Sequence, residues 1–222
     1  MPSIVPITTA MLLFLSSIHA HFIVQHPPTV APFDDDKEGT SPCGGYFPSI
    51  DDVVINDFHV DGEAVATTLT HPQSSWLYRV TTDPTPTKDS NWTEVYPIFE
   101  QSGAGAYCSP QVTVPHEFIG KKGYFGIVSH AVDGFLFQCC GAHFVEGIAT
   151  PPDDCKNGSS VSGDYTDDAG LSSNPSDPGS GTVSSPEHAP NAGISNKSQS
   201  FQALGGMLMV GMMVVLGAMF VV

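Results

Sequence analysis

Short runs of β-branched and aromatic residues recur between residues 21 and 155, and clusters of Gly, Pro and Asp separate them. Runs of this length that are bounded by turn-forming residues are typical of strands. Their regular spacing, with no amphipathic helical run and no internal repeat among them, predicts an all-β sandwich. The predicted strand runs are 22–24, 52–60, 64–69, 76–82, 95–99, 112–114, 123–129 and 135–145.

The composition changes after the last of these runs. From about residue 156 the chain is rich in Ser, Gly, Pro, Asp and Asn and has almost no large apolar side chain. Such a segment buries too little apolar surface to offset the conformational entropy that folding would cost. We therefore predict a folded domain over 21–155, followed by a disordered stalk over 156–191.

The first twenty residues have the pattern of a secretory signal peptide. An apolar core over 11–15 precedes Ile18-His19-Ala20, which resembles a signal-peptidase site. The alanine favours cleavage after Ala20, which makes His21 the first residue of the secreted protein. Cleavage after His19 is the alternative, and it would leave Ala20 first.

Residues 203–222 are apolar and carry no charge. A retained membrane-spanning helix usually has basic residues on its cytoplasmic side. Small residues at 191–193, a polar spacer and a hydrophobic terminus instead match a glycolipid-anchor signal. We expect Asn191 to carry the anchor, with Gly193 or Ser195 as alternatives, and 192–222 to be removed. This signal predicts an extracellular protein on the outer leaflet of the plasma membrane or in the cell wall.

The composition agrees with secretion. The chain has 23 Asp and Glu against 7 Lys and Arg, which argues against nucleic-acid binding, because that needs a basic surface. Five cysteines suit disulfide bonds in an oxidising compartment with one cysteine left over, and their spacing alone does not fix the pairing. The sequons at Asn91 and Asn157 predict N-glycosylation, whereas the one at Asn196 leaves with the tail.

Cleavage after Ala20 would give His21 two neighbouring donors, the freed α-amino group and an imidazole nitrogen. Two nitrogens in one chelate ring suit Cu(II), which prefers tetragonal nitrogen and oxygen ligands. The α-amino group has an ordinary pKa of about 8, so it gives up its proton readily when a metal competes for the lone pair. The sequence thus predicts a copper ligand at His21. The alternative is that this first residue is inert.

A second imidazole would complete a T-shaped set of three nitrogens. His71 opens the polar loop 71–75 directly after a β-run, and Pro72 stiffens that loop. His59 lies inside a β-run and is better explained as a surface or packed strand residue. Placement therefore favours His71.

Other chemistries have weaker signals. The sequence has no nucleophile elbow, phosphate loop or His-Glu-x-x-His pair. Cys139-Cys140 is not a Cys-x-x-Cys motif, which argues against thiol redox chemistry and zinc. Paired aspartates such as Asp51-Asp52 are better explained as solvated turn residues than as glycosidase acids.

Several segments, taken together in their order and spacing, resemble a known family. The chain is similar to the fungal copper-binding proteins related to lytic polysaccharide monooxygenases, the copper acquisition factor-like family. The signal leader and the glycolipid tail fit the same family. The matching segments are His21-Phe22, Asp34-Asp35-Asp36, residues 42–46 (PCGGY), Thr70-His71-Pro72 and residues 134–139 (GFLFQC).

The resemblance implies an immunoglobulin-like or fibronectin-like β-sandwich that binds one copper ion through a histidine brace, which maps onto His21 and His71. It also implies copper handling at the cell surface rather than polysaccharide oxidation. The family's four-cysteine framework implies two disulfides. They are Cys43–Cys139 and Cys108–Cys155, with Cys140 as an extra buried thiol facing the other side of its strand.

One position departs from the family pattern. The family's third ligand is an aspartate two residues after the cysteine of the Gln-Cys strand, and that position is Gly141 here. Because side chains alternate along a strand, His143 shares the face of Gly141, about 7 Å further along, and is a candidate substitute. Asp133 and His130, in the turn before the strand, are further candidates. Without the carboxylate, we expect Cu(II) binding to weaken more than Cu(I) binding.

Three functions follow as hypotheses. The first is a surface-anchored, non-enzymatic protein of copper acquisition or homeostasis, with a surface copper transporter as the recipient. The second is a copper-dependent polysaccharide monooxygenase. The third is a structural cell-wall protein with a degenerate metal site. The anchor and the acidic stalk favour the first, whereas the missing aspartate at Gly141 is what supports the third.

Overall fold

A computed structural model describes residues 21–173, which contain ten strands, a single 3-10 turn at His116–Phe118 and one short helix. Within this range no helix has the length and apolar character needed to cross a membrane. The predicted signal peptide, the anchor site Asn191 and the predicted tail lie outside the described residues. The elements are β1 Phe22–His26, β2 Asn56–His59, β3 Glu63–Leu69, β4 Gln73–Thr81, β5 Thr93–Glu94, β6 Phe99–Ser102, β7 Gly105–Val112, β8 Lys122–Ala131, β9 Gly134–Val145, β10 Ser162–Tyr165 and α1 Ala169–Ser172.

The strands form two sheets. The smaller sheet has the order β1-β3-β7, and the larger has the order β10-β6-β4-β8-β9-β2, with β5 paired to β4. The pairs are antiparallel except for β2 and β9, which run parallel. The predicted all-β sandwich is confirmed.

The main core lies between the two sheets. Successive side chains of a strand point to opposite faces, so alternate residues of β4, β8 and β9 meet alternate residues of β1, β3 and β7. Phe22 of β1 is fully buried, and its ring contacts Trp76 of β4 edge-on with the ring centroids 5.0 Å apart. The largest fully buried side chains of this core are Phe22, Phe58, Leu69, Trp76, Tyr78, Phe99, Phe125, Ile127 and Phe144.

The larger sheet is also covered on its outer face. Leu77, Val128 and Phe137 alternate with the inward residues and form a second cluster, in which Leu171 of α1 is 2% exposed. Asp168 caps α1 by accepting hydrogen bonds from the backbone N–H groups of residues 170 and 171. Burial on both faces explains why the middle strands read as nearly continuous apolar runs.

The predicted end of the domain at residue 155 is wrong. Strand β10 pairs with β6 through backbone hydrogen bonds, although all four of its residues are exposed. Composition gave no sign of this pairing, because the segment is attached by backbone hydrogen bonds, by one leucine, Leu171, and by the pair of Asp168 and His130. The structured domain therefore continues through the first part of the predicted stalk, to residue 173.

Both disulfides that the family resemblance implied are present. Cys43–Cys139 fastens the 40s loop to β9, and Cys108–Cys155 fastens β7 to the segment before β10. Cys140 is a free thiol that is fully buried, with its Sγ 3.3 Å from the Pro27 carbonyl oxygen. Burial raises the pKa of the Cys140 thiol well above its ordinary range.

Truncating Leu171 tests whether the C-terminal segment belongs to the domain. We expect Leu171→Ala to lower the free energy of unfolding by about 2 to 5 kcal/mol, the cost of removing a buried leucine side chain. Ser172→Ala, an exposed change in the same turn, should alter it by less than about 0.5 kcal/mol. Urea denaturation of both variants measures the difference, and equal stabilities would show that the segment is not part of the fold.

Candidate metal centre

The pairing of β1 with β3 brings the chain around His21 next to the loop that carries His71. Phe22 is paired with Leu69, and the register continues one residue further, where Thr70 N–H donates to the His21 carbonyl oxygen at 3.0 Å. The Thr70 hydroxyl donates to the same oxygen at 2.9 Å and accepts from His21 N–H at 3.0 Å. His71 follows Thr70 directly, so both predicted brace histidines lie at the same corner of the sandwich.

The His21 side chain has a ring nitrogen that is available as a metal ligand. Its Nδ1 is buried and makes no hydrogen bond within the described part of the chain. The Asp35 carboxylate lies 3.4 Å away, and the Phe33 ring lies against the imidazole with the centroids 5.1 Å apart. Nδ1 is the imidazole nitrogen nearest to the backbone nitrogen, so it is the one placed to close a chelate with the α-amino group.

His71 is buried in the short connection between the two sheets, with 7% of its surface exposed. Its Nε2 lies 2.8 Å from Oδ1 of Asp133, which sits in the turn joining β8 to β9. The sequence named Asp133 only as one of several further candidates. The structure places an aspartate oxygen directly beside the nitrogen that a brace would use.

A buried acid lies beneath this corner. Glu38 is 2% exposed, and its Oε1 accepts hydrogen bonds from Gln138 Nε2 at 2.7 Å and from Phe22 N–H at 3.3 Å. Burial raises the pKa of Glu38 to about 8, against the effect of these two hydrogen bonds, and the charges of Asp35 and Asp133 raise it further. Sequence reasoning missed Glu38, because nothing in its local pattern distinguishes it from the solvated aspartates just before it.

His143, the candidate substitute third ligand, lies at the end of β9 far from the Asp133 turn. It pairs with Lys122, whereas His130 and Phe135 pair near the Asp133 turn, about 26 Å away along the strand at about 3.3 Å per residue. His143 contacts Asp57 instead, with its Nδ1 2.9 Å from the carboxylate. Strand alternation places His143 on the same face as Gly141, but it says nothing about the distance from His71.

Gly141 does not mark an empty ligand position either. A Cβ built there would lie 2.5 Å from the Val54 carbonyl oxygen and 3.0 Å from the Ile55 side chain. The 50s loop therefore packs directly against the backbone at this position, which leaves no space for an aspartate.

Each of the remaining histidines lies beside an acid other than Asp35 and Asp133. His26 and His59 share the buried Glu63, at 3.2 and 3.0 Å from its two oxygens, which agrees with the interpretation of His59 as a packed strand residue. His116 lies beside Asp61. His130 lies beside Asp168, with its ring stacked on Phe135 at 4.2 Å.

Among residues 21–173, no three His, Cys, Asp or Glu side chains form a ready-made metal cluster. A histidine brace needs only two such side chains, because its third nitrogen is the chain's own amino group. That group exists only when the chain begins at His21.

The charge around His21 and His71 favours a cation. Acidic residues surround the corner, and the nearby Lys37 is neutralised by Asp34 at 2.7 Å. A concentration of one sign of charge raises the local concentration of the opposite ion. The acids closest to the two imidazoles are Asp35, 3.4 Å from His21 Nδ1, and Asp133, 2.8 Å from His71 Nε2.

The two sequons in the described range lie on exposed loops. Asn91 is exposed just before β5. Asn157 is also exposed, and its Oδ1 accepts a hydrogen bond from Cys108 N–H at 2.9 Å. Glycosylation at both sites stays a prediction.

Comparison with known proteins assigns the family. Residues 19–160, more than half of the chain, match the family model described as copper acquisition factor BIM1-like. The chain therefore belongs to the BIM1-like copper acquisition factor family, which gives it a copper-related function.

A relative from Yarrowia lipolytica, the lytic polysaccharide monooxygenase-like protein X325, is 26% identical over 176 residues. That match covers 74% of this chain and 64% of the relative, so the chain spans less than two thirds of the relative's length. This similarity links the family to monooxygenase-like proteins.

The raised pKa of Glu38 predicts a pH-dependent stability. The carboxyl ionises near pH 8 in the folded chain and near 4.5 when exposed, so folding favours the protonated form. Stability should therefore fall as the pH rises from about 4.5 to 8. Glu38→Gln should remove this loss. Its free energy of unfolding should rise relative to that of the wild type by up to about 1.4 kcal/mol for each pH unit in that window.

Urea denaturation between pH 4 and 9, with a chelator present, measures this effect. Glu63→Gln is the control, because we expect its effect on stability to have the opposite sign. Burial opposes ionisation of Glu63, but hydrogen bonds from His26, His59 and two backbone N–H groups together lower its pKa. The Glu63 variant should therefore be less stable than the wild type at neutral pH, with a difference that shrinks below about pH 4.5. If the free energies of unfolding of Glu38→Gln and the wild type change with pH in parallel, Glu38 is not buried as a neutral acid.

Proposed function

We propose that the secreted chain is a cell-surface copper-binding protein that acts in copper acquisition or homeostasis. One copper ion is held by the α-amino group and Nδ1 of His21 together with Nε2 of His71. The main support for this proposal is the pairing of β1 with β3. It places His21, whose buried Nδ1 makes no hydrogen bond, next to the loop that carries the buried imidazole of His71.

The donor set fits copper. Imidazole and amine nitrogens suit both Cu(I) and Cu(II), and a nearby carboxylate adds an oxygen that favours Cu(II). Asp133 supplies that carboxylate in our proposal, because its oxygen already lies at His71 Nε2. This assignment replaces the third ligand that sequence reasoning sought in β9.

The rest of the proposal concerns location and partners. A signal peptide that ends at Ala20 would expose His21, and a glycolipid anchor at Asn191 would hold the protein on the outer leaflet of the plasma membrane. Copper would then pass to a surface transporter. We propose a non-enzymatic role, in which copper is cargo rather than a catalytic cofactor.

The first test uses protein whose amino terminus is His21. We expect it to bind one copper ion per chain. Two changes should each weaken copper binding, namely His21→Ala and one extra residue in front of His21, because each removes a ligand nitrogen. The loss should exceed the factor of about 10 to 100 that is typical when only an outer-shell partner of a metal ligand is removed. Competition with a chelator and the Cu(II) electron-spin spectrum measure affinity and geometry.

His143→Ala is the matched control, and its affinity should equal that of the wild type. Unchanged binding by both His21 variants would overturn the brace. Copper-dependent release of oxidised products from chitin or cellulose would contradict the non-enzymatic role.

The second test concerns Asp133. We expect Asp133→Asn to weaken Cu(II) binding by about 10- to 100-fold and Cu(I) binding by less, because the variant loses an anionic oxygen. Asp57→Asn, which changes the His143 partner at the far end of the sheet, should leave both affinities unchanged. Equal effects of the two substitutions would show that Asp133 has no specific part in the site.

A further inference from the structure

Two buried polar side chains, Glu38 and Gln138, hold the backbone directly behind His21. We propose that Glu38 is a positioning residue, which together with Gln138 clamps the peptide group of His21 so that its two nitrogens face the metal. This inference rests on the proposed function, and it assigns a role to two residues that contact no metal.

The clamp is a closed set of hydrogen bonds. Gln138 Nε2 donates to the Phe22 carbonyl oxygen at 2.6 Å and to Glu38 Oε1 at 2.7 Å. The same Glu38 oxygen accepts from Phe22 N–H at 3.3 Å. The two side chains therefore bind the donor and the acceptor of one residue's backbone, and that residue is the one after His21.

The clamp acts opposite Thr70. The peptide bond between His21 and Phe22 has its carbonyl held by Thr70 and its N–H held by Glu38. Fixing both groups fixes the plane of that peptide and leaves the His21 backbone little freedom to rotate. A chelate formed by a terminal residue needs this restraint, because chain ends are poorly ordered unless they are tied down.

Glu38 is itself firmly placed. Its N–H donates to the Asp34 carbonyl at 3.0 Å, and its carbonyl accepts from Phe137 N–H at 2.8 Å. Glu38 is 2% exposed and Gln138 is 8% exposed, so water competes little with these contacts. The acidic turn is thus joined to β9 beneath the metal corner.

A carboxyl group is a costly choice for a merely structural role at this position. Burying an acid penalises its charged form, whereas a methionine of similar size would fill the space without that cost. What only an oxygen acceptor provides is the bond to Phe22 N–H. This points to backbone position, rather than packing, as the contribution of Glu38.

The test compares two substitutions of similar volume in protein that begins at His21. Glu38→Met removes the acceptor, and we expect Cu(II) affinity to fall by about 10- to 100-fold, as for other outer-shell partners, with an altered electron-spin spectrum. Glu38→Gln keeps the acceptor oxygen, so affinity should stay within about twofold of the wild type. Amide hydrogen exchange of Phe22, measured without copper, should be slow in the wild type and Glu38→Gln and fast in Glu38→Met.

Glu63→Met controls for lost stability, because Glu63 is a buried acid that contacts His26 at the opposite end of β1. It should lower the free energy of unfolding without changing the copper spectrum. If Glu38→Met does not fold, Gln138→Leu removes the other half of the clamp and should show the same losses.

The outcomes separate this inference from the function it rests on. Wild-type affinity and spectrum in both Glu38→Met and Gln138→Leu, while His21→Ala loses copper, would overturn the clamp and leave the copper site standing. Loss of copper in Glu63→Met equal to that in Glu38→Met would show a general stability effect and would also overturn it. A wild-type protein that binds no copper would overturn the proposed function and the clamp with it.

Discussion

The antiparallel pairing of β1 with β3 is the interaction on which the rest of the candidate site depends. It fixes the position of His21 through three hydrogen bonds with Thr70 and places Phe22 in the core against Trp76. Because His71 is the next residue after Thr70, the same pairing brings the second histidine close to His21. A one-residue shift in register would turn Phe22 out of the core, so the core side chain also fixes the register of the candidate site.

Each of the seven histidines between residues 21 and 173 lies within 3.4 Å of a carboxylate oxygen. Proximity to an acid therefore does not distinguish a metal ligand in this chain. Position supports the proposed ligands, because His21 and His71 lie at one corner, whereas the other histidines pair with acids elsewhere in the fold. The pair of His130 and Asp168, for example, ties α1 to β8, and Glu63 ties β2 to the smaller sheet through His59.

The sequence predicted those parts of the molecule that depend on local pattern. The spacing of the short strand runs predicted the sandwich. The position of His71 directly after a β-run predicted that it lies in a loop, and that loop is the one beside β1. The family resemblance gave both cysteine pairs, which spacing could not. The features that sequence reasoning missed depend on distance in space. Glu38 looks like one more acid in an acidic turn, and its burial exists only because β9 passes beneath it.

The errors have the same origin. The search for a third ligand at Gly141 and His143 used the strand period, which assigns a face but says nothing about which end of a twelve-residue strand lies near the other ligands. The hairpin joining β8 to β9 brings its turn, and therefore Asp133, to the His71 end. The end of the domain was misplaced because β10 is held by backbone hydrogen bonds, which leave no trace in composition.

The proposed metal site, at a terminus that begins with His21, faces a physical difficulty that this fold addresses. The first residue of a chain has no preceding residue to hold it, so its order must come from side chains elsewhere in the sequence. Here Thr70 holds one side of the peptide bond between His21 and Phe22, and Glu38 with Gln138 holds the other. Gln138 belongs to β9, which pairs with β8 along its length and is buried around this residue. A chain that begins at His21 would thus have its terminus attached to a buried strand of the larger sheet, which would let a single residue present two nitrogens in a fixed direction.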